Sequence, residues 1–186
     1  MKQTGRANSS SFARKLAKMA EMELIIEQVR LTYEGLFKAT DLYKLIDNWL
    51  RTHGYDKREL KSIEKITPSG KYIEVESLPW KKQTEYVKND IKIRMQLSDV
   101  TEVEVEQNGA TVKLNKGKVH FVFDGYLTTD YEQRWEQKPS FVFIRALFDK
   151  FFYKTYMDRW KANMIKDVND LHDTIKSFLN LYRYQK

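Results

Sequence analysis

The chain has 186 residues, of which 41% are hydrophobic and 32% are charged, and its formal net charge is +7. It contains no cysteine, which excludes disulfides, thiolate metal sites and a cysteine nucleophile. No apolar run approaches the roughly 18 residues of a membrane-spanning helix, so we expect a cytoplasmic protein.

The N-terminal segment differs from the rest of the chain. Residues 1–21 combine basic side chains with glycine, asparagine and a serine run, and they precede any patterned segment. This composition predicts a disordered basic tail. Residues 22–186 are predicted to form one domain, sheet-rich over 22–137 and helical over 139–184. Three start sites stay open: Met1, Met19 and Met22.

In the first half of the domain, apolar and polar residues alternate, as in strands with one buried face. The first strand passes through Leu31 and ends at Gly35. A helix is predicted over 40–53, with Thr40 or Asp41 as its N-cap and Gly54 at its C-terminus. Two further strands are predicted over 59–66 and 71–78, on either side of a Pro-Ser-Gly turn.

The clearest strand covers residues 91–97, where Ile, Ile, Met and Leu alternate with Lys, Arg and Gln. Asn108-Gly109 then predicts a two-residue hairpin. Counting outward pairs apolar with apolar residues on one face and opposite charges on the other: Gln107 with Ala110, Val105 with Val112, Glu104 with Lys113, and Val103 with Leu114. A second turn is predicted over 115–117, and a last strand over 119–125.

After Pro139 the apolar period changes to three and four residues, which predicts a long amphipathic helix or two helices in series. A break near Tyr156–Asp158 stays open. The predicted fold is therefore α+β. A curved antiparallel sheet of six or seven strands carries one short helix after its first strand and is covered by the C-terminal helix.

This element order resembles the helix-grip superfamily of START and polyketide-cyclase-like domains, in which a curved antiparallel sheet wraps a long C-terminal helix. The resemblance covers about residues 23–186 and consists of element order alone. It implies a ligand between sheet and helix. The chain departs from the pattern in having a single helix between its first two strands and a longer C-terminal helical region.

Aromatic residues exceed what one helical stripe can bury, and the surplus could line a ligand cavity, form a dimer seam or contact a membrane surface. The candidate pocket residues are Met95, Phe121, Phe123, Phe148, Phe151 and Phe152. We expect a non-enzymatic binding domain for an apolar or amphipathic small molecule, with homodimerisation through the C-terminal helix as a further hypothesis.

Both ends of the chain are basic, whereas the middle is mildly acidic. This asymmetry leaves open an alternative, a nucleic-acid or ribonucleoprotein-associated factor. The candidate contacts are Arg14, Lys15, Lys18, Arg145, Lys150 and Lys154.

A third hypothesis is an enzyme with dispersed active-site residues. The glycines are too scattered for a phosphate-binding loop, and His53, His120 and His172 have no carboxylate at metal-ligand spacing. We therefore assign no catalytic residue, metal or cofactor.

Overall fold

The computed structural model describes residues 21–85, 87–107, 110–129, 131 and 153–183. In chain order the elements are β1 (Glu21–Phe37), α1 (Ala39–Thr52), β2 (Glu59–Thr67), β3 (Gly70–Ser77), β4 (Trp80–Lys82), β5 (Val87–Gln107), β6 (Ala110–Thr129) and α2 (Tyr153–Arg183). The fold is α+β, as predicted. The predicted tail, apart from Glu21, and the predicted helical residues 139–152 lie outside the described residues.

The strands form one antiparallel sheet of six, in the order β1-β6-β5-β3-β2, with β4 pairing on β5. The first strand, β1, pairs with the last strand, β6. In this pairing Leu31 is opposite Phe121 and Val29 is opposite Phe123. The β1–β6 pairing joins parts of the chain about ninety residues apart. Both helices lie on one face of the resulting sheet.

The predicted alternation along β5 is confirmed. Ile91, Ile93, Met95 and Leu97 are buried on the helix side of the sheet, whereas Lys92, Arg94 and Gln96 lie on the opposite face, where Arg94 pairs with Asp124. We call the second face the open face. The predicted hairpin register is confirmed at all four pairs, from Gln107 with Ala110 to Val103 with Leu114. The Asn-Gly turn itself lies outside the described residues.

Two predicted strand boundaries are wrong. The strand predicted over 91–97 and the hairpin arm that carries Val103 and Val105 form one strand, β5, which bulges between Ser98 and Thr101. The turn predicted over 115–117 does not exist, because β6 continues through it. Asp99, in the bulge, has φ +56, and the strand bends there without ending.

Glycines predicted to end strands also lie within them. β1 continues beyond Gly35 to Phe37, and β6 passes Gly125 and ends at Thr129. Gly125 lies under α2, where an added Cβ would be 2.9 Å from the Met164 sulfur. Its missing side chain therefore permits the helix to approach the sheet.

Helix α1 agrees with the prediction except at its first residues. Lys38, not Thr40 or Asp41, is the N-cap, and its side chain makes no capping bond. Instead, the Ala39 N–H donates to Asn115 Oδ1 of β6, at 3.0 Å. A distant side chain thus satisfies an N–H of the first turn. At the other end Gly54 has φ +73, as a helix-terminating glycine does.

Helix α2 runs without a break from Tyr153 to Arg183, so the break considered near Tyr156–Asp158 is absent. It contacts β1, β6 and α1. Its buried side chains recur at intervals of three, four or seven residues, on one helical face, and complete the core: Met157, Met164, Val168, Leu171, Ile175 and Leu179. The described part of α2 therefore covers the β1–β6 side of the sheet, and α1 covers the β3–β5 side.

Candidate functional site

A small pocket lies between α1 and the helix-facing side of the sheet. Met95 and Ile93 of β5 and Phe121 of β6 line it from the sheet, and Ile46 and Leu50 line it from α1. Its volume is about 50 Å³, room for only a few water molecules. The structure thus brings together two of the predicted pocket residues, Met95 and Phe121, under α1.

The mouth of this pocket is polar. Lys57 Nζ donates to Asp47 Oδ1 at 3.2 Å, and this hydrogen bond is the main reason that the pKa of Asp47 is lowered. Tyr43 also lines the mouth, and its pKa is raised, first by burial and then by the nearby carboxylates of Glu64 and Glu59. At neutral pH Asp47 is therefore ionised and Tyr43 is protonated. The arrangement combines an apolar interior with a hydrogen-bonding mouth.

Phe123, a third predicted pocket residue, belongs to the packed core. Its ring lies parallel to that of Phe121, with the centroids 5.5 Å apart. On the α2 side, the His172 ring meets it edge-on at 6.4 Å. Phe123 is fully buried, and its contacts are explained by packing between sheet and helix. Phe148, Phe151 and Phe152 lie outside the described residues.

The contact between α2 and the sheet is close at Gly125. A Cβ at this position would lie 2.6 Å from Ile26 Cγ2, and Met164 and Ile26 therefore fill the space above the glycine. At this contact the described residues leave no room for a ligand. The pocket found in the structure lies instead beside α1.

Polar contacts attach the end of α1 to α2. Trp49 Nε1 donates to Asp170 Oδ2 at 2.7 Å, and His53 Nε2 lies 3.5 Å from the same oxygen. His53 Nδ1 lies 2.9 Å from the Trp49 carbonyl oxygen in the last turn of α1, and the two rings stack with centroids 4.0 Å apart. His53 therefore contacts both the last turn of α1 and α2, and packing at the helix end explains its position.

A second group of polar side chains lies next to this attachment. The Tyr55 hydroxyl donates to Asp167 Oδ2 at 2.8 Å, and Lys81 Nζ lies 3.8 Å from that oxygen and 5.4 Å from the Tyr55 ring centroid. Burial, followed by the Asp167 charge, strongly raises the pKa of Tyr55. The tyrosine therefore remains a hydrogen-bond donor across the physiological range.

Asn89 faces the same region from β5. It is fully buried, and neither its side-chain oxygen nor its nitrogen has a hydrogen-bond partner. Asn89 and Lys81 are direct partners in the β4–β5 ladder, which places their side chains on the same face. Sequence reasoning missed this residue, although an asparagine at a core position of the β5 alternation was a visible signal.

The open face carries a wider, shallower pocket of about 260 Å³, lined by Tyr72, Glu74, Val75, Glu76, Arg94, Met95, Gln96, His120 and Val122. Its charged groups already pair with one another or with neighbours. Arg94 pairs with Asp124, Glu76 with Lys92, and Glu74 with Lys61. Thr32 Oγ1 lies 3.1 Å from His120 Nδ1, so His120 lies on the open face, opposite the buried Phe121.

The predicted nucleic-acid contacts cannot be placed on this surface. Arg14, Lys15, Lys18, Arg145 and Lys150 lie outside the described residues, and of Lys154 only the backbone, in the first turn of α2, is described. Among the residues that the structure describes, no three His, Asp or Glu side chains are grouped so as to hold a metal ion. In the same part of the chain, no helix is both long and apolar enough to cross a membrane.

Comparison with known proteins adds no relative. No family model matches the chain, and no curated protein or solved structure matches it.

Proposed function

We propose that the protein is a non-enzymatic binding domain for an apolar or amphipathic small molecule held between the sheet and the helices. The observation that carries the proposal is the pocket under α1, whose interior is apolar and whose mouth holds the Asp47–Lys57 pair. An apolar group would contact Met95 and Phe121, and a polar end would remain at the mouth.

The resemblance to helix-grip domains supports this proposal. In the described residues a long C-terminal helix crosses an antiparallel sheet whose first strand pairs with its last. A C-terminal helix on an antiparallel sheet is expected from the element order, whereas the pairing of the first strand with the last was not predicted. From the sequence, the ligand was expected under the C-terminal helix. We place it under α1 instead, because α2 packs directly against Gly125.

A ligand larger than a few atoms requires the pocket to widen, and Met95 is the residue best suited to this. Its side chain is unbranched and rotates about three bonds, so it can fill an irregular space or withdraw from it at low energetic cost. Ile46 and Tyr43 of α1 are only partly buried. The middle of α1 therefore has fewer contacts to lose than the end, which Trp49 attaches to α2.

Decanoate and decanol test the proposal together, because they share an apolar chain and differ in the charged head. Both are expected to raise the melting temperature, and a ligand at about 100 times its Kd stabilises the fold by about 2.7 kcal/mol. Decanol is expected to bind more tightly than decanoate, since Lys57 is already paired with Asp47 and Glu59 adds a second carboxylate to the lining. Thermal unfolding followed by circular dichroism measures both effects.

A pair of matched substitutions locates the binding. Ile46→Phe fills the pocket from α1 and is expected to abolish the stabilisation by decanoate. Ile66→Phe makes the same chemical change at a residue that is 86% exposed, and it is expected to leave the stabilisation intact. If both variants respond like the original protein, the ligand lies elsewhere. If the original protein responds to neither compound nor to a broader lipid panel, the binding function is wrong.

A further inference from the structure

We propose that Asn89, Tyr55, Lys81 and Asp167 form a second, polar binding site between the β4–β5 ladder and α2. Its ligand is a small neutral molecule that presents an N–H and a C=O group side by side, as a primary carboxamide does. This site shares no residue with the pocket under α1, so the two proposals stand or fall independently.

The four side chains meet from three separate parts of the chain. Lys81 and Asn89 are cross-strand partners on β4 and β5, Tyr55 follows α1, and Asp167 belongs to α2. Tyr55 and Lys81 both approach Asp167 Oδ2, at 2.8 Å and 3.8 Å. The side-chain interaction of Asn89 with the Tyr55 hydroxyl lowers the pKa of Tyr55, against the larger effect of burial, although the contact does not reach the geometry of a formed hydrogen bond. Together with its cross-strand position beside Lys81, this interaction places Asn89 next to the group.

Asn89 is the residue of this group whose side chain lacks hydrogen-bond partners. A buried amide without partners destabilises a folded protein, and buried polar atoms are nearly always satisfied by protein or by a bound molecule. Here the side-chain oxygen and nitrogen are both unsatisfied in a residue with no exposed surface. A leucine at this position would suit the apolar series of Ile91, Ile93 and Met95 far better. A ligand contacting Asn89 would supply the missing partners.

The charges of the group indicate what kind of ligand fits. Lys81 and Asp167 already compensate one another, so a charged ligand would enter a partly buried site without a free counter-ion. Asn89 has a donor and an acceptor on the same planar amide. A second amide presents the complementary edge and satisfies both atoms at once. The Tyr55 hydroxyl, whose one hydrogen is donated to Asp167, and the Asp167 carboxylate can both accept additional hydrogen bonds.

Two members of the group are partly exposed. The side chains of Lys81 and Asp167 are 31% and 16% exposed, whereas Tyr55 and Asn89 are buried. A ligand would therefore enter past Lys81 and Asp167. The Lys81 side chain is long and flexible, so it can move aside as a small molecule passes. Because the partly exposed members are one lysine and one aspartate, the expected ligand is a small free molecule.

Nuclear magnetic resonance of the full chain labelled with nitrogen-15 tests the site directly. Acetamide is expected to shift the two side-chain N–H resonances of Asn89 in a saturable way, with a Kd in the millimolar range for so small a ligand. N,N-dimethylacetamide has no N–H, and acetate is charged and has none either. At equal concentrations, neither is expected to produce a saturable shift.

Variants assign the effect to the site. Asn89→Leu should remove the Asn89 resonances and every saturable response to acetamide, and Tyr55→Phe should weaken binding while leaving the fold intact. Asn48→Leu, at an exposed residue of α1, is the matched control and should bind acetamide normally. Equal responses to all three small molecules would overturn the proposal. So would a long-lived water, seen by its contacts to the Asn89 amide protons, that acetamide does not displace.

Discussion

Replacing Gly70 with alanine is expected to destabilise the fold by about 4 kcal/mol, the sum of backbone strain and a close contact. Gly70 has φ +137, and a Cβ there would lie 2.8 Å from both the Asp99 carbonyl carbon and the Val100 oxygen. These are backbone atoms of the β5 bulge, which cannot rotate away as the end of a side chain can. Urea unfolding monitored by circular dichroism measures the change in free energy.

Substitutions at Gly54 and Gly117 allow the cost of backbone strain and the cost of the close contact to be measured separately. Gly54 has φ +73 but no atom within 4 Å of an added Cβ, so Gly54→Ala should cost only about 1 kcal/mol from backbone strain. At Gly117 an added Cβ would lie 2.9 Å from the Ser98 oxygen, and Gly117→Ala should cost about 2 kcal/mol. A loss in Gly70→Ala no greater than in Gly54→Ala would show that the bulge yields to the new side chain.

These glycines also explain why the second predicted turn was wrong. Asparagine, lysine and glycine in succession are typical of a turn. In the folded chain, however, Asn115 accepts a hydrogen bond from the Ala39 N–H of α1, and Gly117 makes room for the bulge of β5. Both residues serve contacts with distant parts of the chain. A local sequence pattern cannot distinguish a glycine required by its own backbone conformation from one that leaves space for a neighbouring strand.

The features that could be predicted are those that local periodicity determines. Alternation assigned Met95 and Phe121 to the buried face, and the register of the β5–β6 hairpin followed from the Asn-Gly dipeptide and the pairing of charges. The pairing of Leu31 with Phe121 could not be predicted in the same way. Any strand with one apolar face is a plausible partner for another, and the choice depends on packing of the whole sheet.

The candidate sites show the same limit. Sequence periodicity identified which side chains face inward, but not whether α1 or α2 covers a given pair of strands. Met95 and Phe121 therefore appeared as residues under the C-terminal helix, whereas the pocket that they line lies under α1. The group around Asn89 combines three segments that are distant in sequence. The only feature of the sequence that indicates it is one asparagine in an alternation of apolar residues.

Phe121 and Phe123 offer a matched pair that tests where the core can accept a molecule. Both side chains are fully buried, and their rings are parallel neighbours on β6. Replacing either with alanine should destabilise the fold by about 3–5 kcal/mol, because each leaves a large void that the core cannot collapse to fill. Calorimetric unfolding should therefore show similar losses for the two variants.

The two voids should nevertheless behave differently. Phe121 lines the pocket under α1, so the void in Phe121→Ala would join that pocket, whereas the void in Phe123→Ala would be enclosed between β6 and α2. Naphthalene is larger than the space left by one phenylalanine side chain. It should consequently raise the melting temperature of Phe121→Ala and leave that of Phe123→Ala unchanged. Adding Ile46→Phe to Phe121→Ala should remove the response, since the new ring occupies the joined space. Equal stabilisation of both single variants would contradict this, and would mean that the core opens as readily beneath α2 as beneath α1.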